Sequence, residues 1–243
     1  MQIHNPHRRA VLGALSALAA AGCGGPLTTT GAAGPPLPAP TLRVGDTWVY
    51  DCSDGFRTPV TWTETHKITS VSAAGIVIDV TLLGPTMNYH RVERLSAPGV
   101  VLSGSVYDNA ETRNFIEPMI RYQFPLTPGT SWRQALRNPD AQTGLTSNVL
   151  RTVRVNGFQQ VTVPAGTFNA IMMWILMSVD DNNAFRTPTN CTYQLWWAAE
   201  AGGMVRQTKR AEYFENGDGP GAIAIRAQNM TMELVSYTFD PKR

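Results

Sequence analysis

The chain of 243 residues carries 20 lysines and arginines against 18 aspartates and glutamates, and 43% of it is hydrophobic. Two of the bases, Arg8 and Arg9, belong to an N-terminal segment that reads as removable, which leaves 18 charges of each sign. Such a balance supplies no surplus for neutralising nucleic-acid phosphates and no polybasic cluster for an anionic bilayer. The length beyond the leader suits one domain.

Residues 1–22 contain no acid. Arg8 and Arg9 precede an apolar run from Ala10 to Ala21, then Gly22 and Cys23. A basic start, a short apolar stretch and small residues before a cleavage point mark an export signal rather than part of the fold. The run is about 12 residues, short of the ~20 that a membrane-spanning helix needs. Leu18-Ala19-Ala20-Ala21-Gly22-Cys23 resembles the cleavage box of bacterial lipoproteins, in which the cysteine receives acyl chains. Gly22 and Cys23 fit; Ala20 stands where that class usually has leucine. Ordinary secretory cleavage after Ala21 is the competing reading. His7-Arg8-Arg9-Ala10-Val11-Leu12 resembles a twin-arginine signal, without its usual serine or threonine and later lysine.

From Gly24 to Pro40 the chain has no charge, five prolines and four glycines, so residues 23–40 are expected to be a lipidated cysteine and a tether. Of the three cysteines, lipidation of Cys23 leaves Cys52 and Cys191 as an even pair in an oxidising compartment, for which a disulfide is expected. The alternative is two unpaired thiols acting as small hydrophobes. Residues 41–243 form the expected single periplasmic domain.

The dominant period in that domain is two. Trp62, Glu64, His66 and Ile68 alternate with Thr61, Thr63, Thr65 and Lys67; Ile76, Ile78, Val80 and Leu82 alternate with Val77, Asp79, Thr81 and Leu83; Met230, Met232 and Leu234 alternate with Thr231, Glu233 and Val235. This pattern, broken by Gly, Pro and Asn signals, predicts an antiparallel all-β domain. The segment 111–121 is a helix candidate interrupted by Pro118. Leu126-Thr127-Pro128-Gly129 predicts a type II turn joining strands 119–126 and 131–137. Val163-Pro164-Ala165-Gly166-Thr167 predicts a three-residue hairpin, closed by a left-handed Gly166, joining 158–163 to 167–179. Residues 168–179 are apolar at both parities and are expected to form a central strand buried on both faces.

The order of Val44-Gly45-Asp46-Thr47-Trp48-Val49-Tyr50, Phe124 to Trp132, Val161 to Ala170, Trp196-Trp197, Gly203 to Arg206 and Glu233 to Tyr237 resembles a family of periplasmic lipoprotein domains labelled TapB-like or a domain of unknown function. The resemblance implies a strongly curved antiparallel sheet, a half-barrel or barrel, and brings no catalytic residues with it.

Chemistry is sparse. Beyond the signal only His66 and His90 remain, neither in an HExxH or GxSxG setting. His66 shares a strand face with Glu64, which reads as a surface polar pair rather than as an oriented base. No metal set or cofactor motif is evident. Met172, Trp174, Met230 and Met232 are candidates for the lining of an apolar cavity in the curved sheet, since adaptable thioethers suit varied ligands. Thioethers are also soft ligands for Cu(I), and in most proteins simply fill gaps. The sequence therefore predicts a non-enzymatic protein on the periplasmic face of the outer membrane. Lipid on Cys23 would hold it there, acting on an envelope protein partner or, alternatively, on a hydrophobic ligand in the concave face.

Overall fold

In a computed structural model the described residues are 31–55, 57–106, 112–139, 145–216 and 223–239. Cys23, the export signal and the first part of the tether lie outside them. Twelve strands follow in chain order: β1 Thr47–Asp54, β2 Val60–Ser72, β3 Gly75–Gly84, β4 Met87–Ala97, β5 Val100–Gly104, β6 Arg113–Ile120, β7 Ser131–Pro139, β8 Thr146–Val163, β9 Gly166–Asp180, β10 Thr189–Ala198, β11 Gly203–Asn216 and β12 Ile223–Thr238. They make one antiparallel sheet in the order β6-β5-β4-β3-β2-β1-β12-β11-β10-β9-β8-β7, a nearly closed barrel. No helix occurs among the described residues. The helix candidate at 111–121 is strand β6; Pro118 sits there in the barrel's edge strand, where its missing N–H breaks no ladder.

The alternation of residue type is the alternation of faces. Trp48, Tyr50 and Cys52 on β1, Ile78, Val80 and Leu82 on β3, and Met230, Met232 and Leu234 on β12 are all buried. Register irregularities at Val49/Tyr50, Ile68/Ser70, Val155/Gly157 and Trp196/Trp197 interrupt the ladders. Such bulges bend a strand and add twist, which is what curls a long sheet toward closure. At the Val155/Gly157 irregularity Gly157 has φ +127°, and a Cβ there would meet the Gly31 carbonyl oxygen at 2.7 Å.

Closure between β6 and β7 comes from side chains. The Gln134 amide accepts from the Ile120 N–H (2.8 Å) and donates to the Pro118 carbonyl (3.2 Å). The Trp132 indole donates to the Ile120 carbonyl at 3.2 Å, and Arg137 pairs with Glu117 at 2.6 Å. The expected ladder between 119–126 and 131–137 is thus replaced. β6 ends at Ile120, and in the following segment Leu126 pairs with Leu37 instead, through reciprocal backbone bonds of 2.8 and 2.9 Å. The same segment corrects the tether. Residues 31–40 are docked by the Leu37–Leu126 and Ala32–Phe158 bridges, because apolar Leu37 finds a fully buried partner.

The β8–β9 hairpin forms where expected, but with the two-residue loop Pro164-Ala165 rather than a three-residue one, since Val163 lies opposite Gly166. β9 is not buried on both faces: Trp174 is 44% exposed and Leu176 50%. A single-layer barrel covers only its inner face, so these outward side chains meet solvent.

Cys52 and Cys191 are not bridged. Both are buried, on β1 and β10, which are separated by β12 and β11. Three strand spacings amount to roughly 14 Å along the sheet, about twice the Cα separation that a disulfide tolerates.

Candidate functional site: the barrel interior

The inward faces enclose a cavity of about 190 Å³. It lies toward the end of the barrel where the N-terminal segment enters, since Pro40, Leu42, Gly99 of the β4–β5 turn and Gly202 of the β10–β11 turn line it. Trp48 of β1, Met119 of β6, Ile175 and Met177 of β9, Trp197 of β10 and Met232 of β12 give it apolar walls. Toward the other end, Ser105 and Val106, just past β5, also line it. There the Val106 carbonyl accepts from the Tyr193 hydroxyl of β10 at 3.2 Å.

One wall is charged. Strand period two puts Glu64 and His66 of β2 inside, and Arg91 and Glu93 of β4 likewise. His66 and Arg91 both register with Val80 of the intervening β3. The Arg91 guanidinium therefore reaches diagonally over β3 to Glu64, at 2.7 Å, while its Nε lies 3.4 Å from Glu93. His66 Nε2 lies 2.8 Å from the same Glu64 oxygen, and Arg121 donates to Glu93 at 2.8 Å. Burial opposes ionisation of Glu64, but the His66 hydrogen bond and the charges of His66 and Arg91 outweigh it and hold the carboxyl at about 2. Burial likewise opposes ionisation of Glu93, and Arg121 and Arg91 bring it to about 2. Glu93 in turn raises Arg121 above its ordinary value despite burial.

Arg151 of β8 is different. It is buried, and it donates to two backbone carbonyls, those of Ile120 (2.7 Å) and Arg121 (3.2 Å). Burial first, and then the neighbouring charge of Arg121, push it down to about 10.

The sequence-predicted residues are distributed unevenly over this site. Met232 lines the cavity. Met230 is buried without lining it, and Met172 is buried with the Asn156 amide 3.4 Å from its sulfur. Trp174 points outward, because it shares parity with the exposed Leu176 rather than with Ile175 and Met177. The Glu64–His66 pair is not on the surface, as expected from its strand, but inside, with Glu64 1% exposed. Arg91, Glu93, Arg121 and Arg151 were not singled out. The signal was present in part: Arg91 and Glu93 share parity with Leu95, an apolar position of the same strand.

The comparisons bear on fold. No family model matches the chain, so the TapB-like resemblance gains no support from that side, and no curated protein matches it. A protein from Parabacteroides distasonis, designated a lipoprotein, superposes with TM-score 0.50 at 12% identity, over 83% of this chain and 97% of its own. An exported protein of Bacteroides fragilis, described as having a YmcC-like fold, gives TM-score 0.47 at 14% identity, over 84% of this chain and 100% of its own. The lipoprotein YmcC of Escherichia coli, designated hypothetical, gives 0.37 at 7% identity, over 79% and 84%. The Parabacteroides protein is similar to this chain in fold, an all-β barrel, and at that identity the likeness extends no further.

Proposed function

We propose that this chain is an exported, non-enzymatic envelope protein, anchored through lipid on Cys23, that holds an apolar small molecule inside its barrel. The observation that carries the reading is the interior cavity, walled by Trp48, Met119, Ile175, Met177, Trp197 and Met232. Concave, mostly apolar space with a few convergent polar groups is the common form of a ligand site. The anchor rests on Gly22-Cys23 after an acid-free apolar run, and Gly24 in place of aspartate suits outer-membrane delivery. Export agrees with the designation of the Parabacteroides protein as a lipoprotein.

A second reading, docking to an envelope protein, draws on the outer face of β8 and β9, where Leu150, Trp174 and Leu176 are exposed. Native mass spectrometry of protein extracted from its own membrane separates the two. A retained small molecule, lost in a Met232→Arg variant that still folds, supports the cavity. An empty barrel with a protein crosslinked through position 174 supports docking. Incorporation of labelled palmitate into wild type and not into Cys23→Ala is expected; equal fractionation of the two forms would remove the anchor.

A further inference from the structure

The charges around the cavity do not balance. Two carboxylates, Glu64 and Glu93, face three guanidiniums, Arg91, Arg121 and Arg151, and the His66 imidazole lies against Glu64. Glu64 and Glu93 are taken up by Arg91 and Arg121. Among the described residues no carboxylate pairs with Arg151, whose hydrogen bonds all go to the carbonyls of Ile120 and Arg121. Its strongest charged neighbour is Arg121, of the same sign. A guanidinium has five N–H groups, and two carbonyls leave most of them free.

Joining β8 to the end of β6 does not require a cation, since a neutral amide can donate to a carbonyl equally well. An uncompensated buried charge costs several kcal/mol. Beside it stands Tyr122, whose hydroxyl makes no hydrogen bond among the described residues, and which is close enough for the Arg151 charge to act on it.

We infer that Arg151, with Tyr122, receives the anionic head of an amphiphile whose apolar part lies along the Met and Trp walls of the cavity. A negative charge offsets this surplus, so the head is an anion, such as the carboxylate of a fatty acid or a phosphodiester. A carboxylate matches the planar donor fork of arginine through two parallel bonds. The inference rests on the proposed cavity function and specifies the ligand class for it.

Two ligands of equal chain length test it: dodecanoate and dodecanol, titrated into the full-length protein and followed by the fluorescence of Trp48 and Trp197 and by calorimetry. Dodecanoate is expected to bind at least about tenfold more tightly than dodecanol. Arg151→Gln, which can still donate to the Ile120 carbonyl, should bring that ratio to near one, chiefly by weakening dodecanoate. Arg151→Lys, which keeps the charge, should retain most of the preference. Dodecyl methyl phosphate, a monoanionic diester with a single dodecyl chain, distinguishes the two head groups within the same site. Equal binding of dodecanoate and dodecanol to wild type overturns the anion site and leaves the apolar cavity standing. Binding of neither overturns both. The wild-type comparison decides the matter even if the glutamine variant fails to fold.

Discussion

Glu64 concentrates most of the interior chemistry in one side chain. Its folded pKa lies near 2, below the ordinary carboxylate value of 4.5, so the stability it contributes is present above about pH 4.5 and is lost as the pH falls toward 2. Glu64→Gln leaves Arg91 partly uncompensated and is expected to cost about 3–5 kcal/mol at neutral pH. At pH 2, where about half of the wild-type carboxyl is protonated, that difference should shrink sharply. Urea unfolding at both pH values checks this; a cost independent of pH would mean that charge is not what Glu64 supplies. Cys52 and Cys191 give a second residue-scale expectation. Both are buried, and the Cys52 thiol is held well above its ordinary value by burial and then by the Glu64 charge. Iodoacetamide should therefore label neither in the native protein and both after unfolding without reductant. A disulfide would leave both unlabelled under either condition. Glu64 and His66 were legible as one face of a strand. That the face was inward was not, because two charged residues in period two look like a solvated strand unless the partners on β4 are known.

Among the elements, β6 stands apart. It has a backbone ladder only to β5, and toward β7 the side chains of Gln134, Trp132 and Glu117 span the gap. Side-chain closure lacks the cooperativity of a ladder, so β6 should open at lower free energy than the strands flanked on both sides. Hydrogen exchange is expected to be faster in Arg113–Ile120 than in Gly166–Asp180. Gln134→Ala should cost roughly 1 kcal/mol and selectively deprotect the Ile120 amide. Uniform exchange across the two strands would show that the seam is as tight as the ladders. The hairpin at Pro164-Ala165 was readable from its turn chemistry. The Pro128-Gly129 turn was readable too, but its flanking strands meet at the seam, and turn residues say nothing about which backbone groups pair beyond them.

For the molecule as a whole, the N-terminal segment is a structural part of the barrel. Leu37 pairs with fully buried Leu126, Ala32 with Phe158, and Pro40 and Leu42 line the cavity. A mature protein lacking residues 31–40 should lose about 2 kcal/mol through the apolar contacts removed, with a lower Tm by calorimetry. It should also bind the cavity ligand less tightly. An unchanged Tm would return those residues to a passive tether. The sequence by itself determined the all-β class and most strand positions. These are local properties, written in apolar runs, in alternation with period two and in the φ preferences of Gly and Pro. The tertiary structure decided the rest: which face of each strand is inside, that Cys52 and Cys191 are three strand spacings apart, that the barrel closes through side chains, and that an arginine without an acid sits beside the cavity. Each of these depends on groups far apart in the chain meeting across the barrel, and no short window of sequence encodes such a meeting.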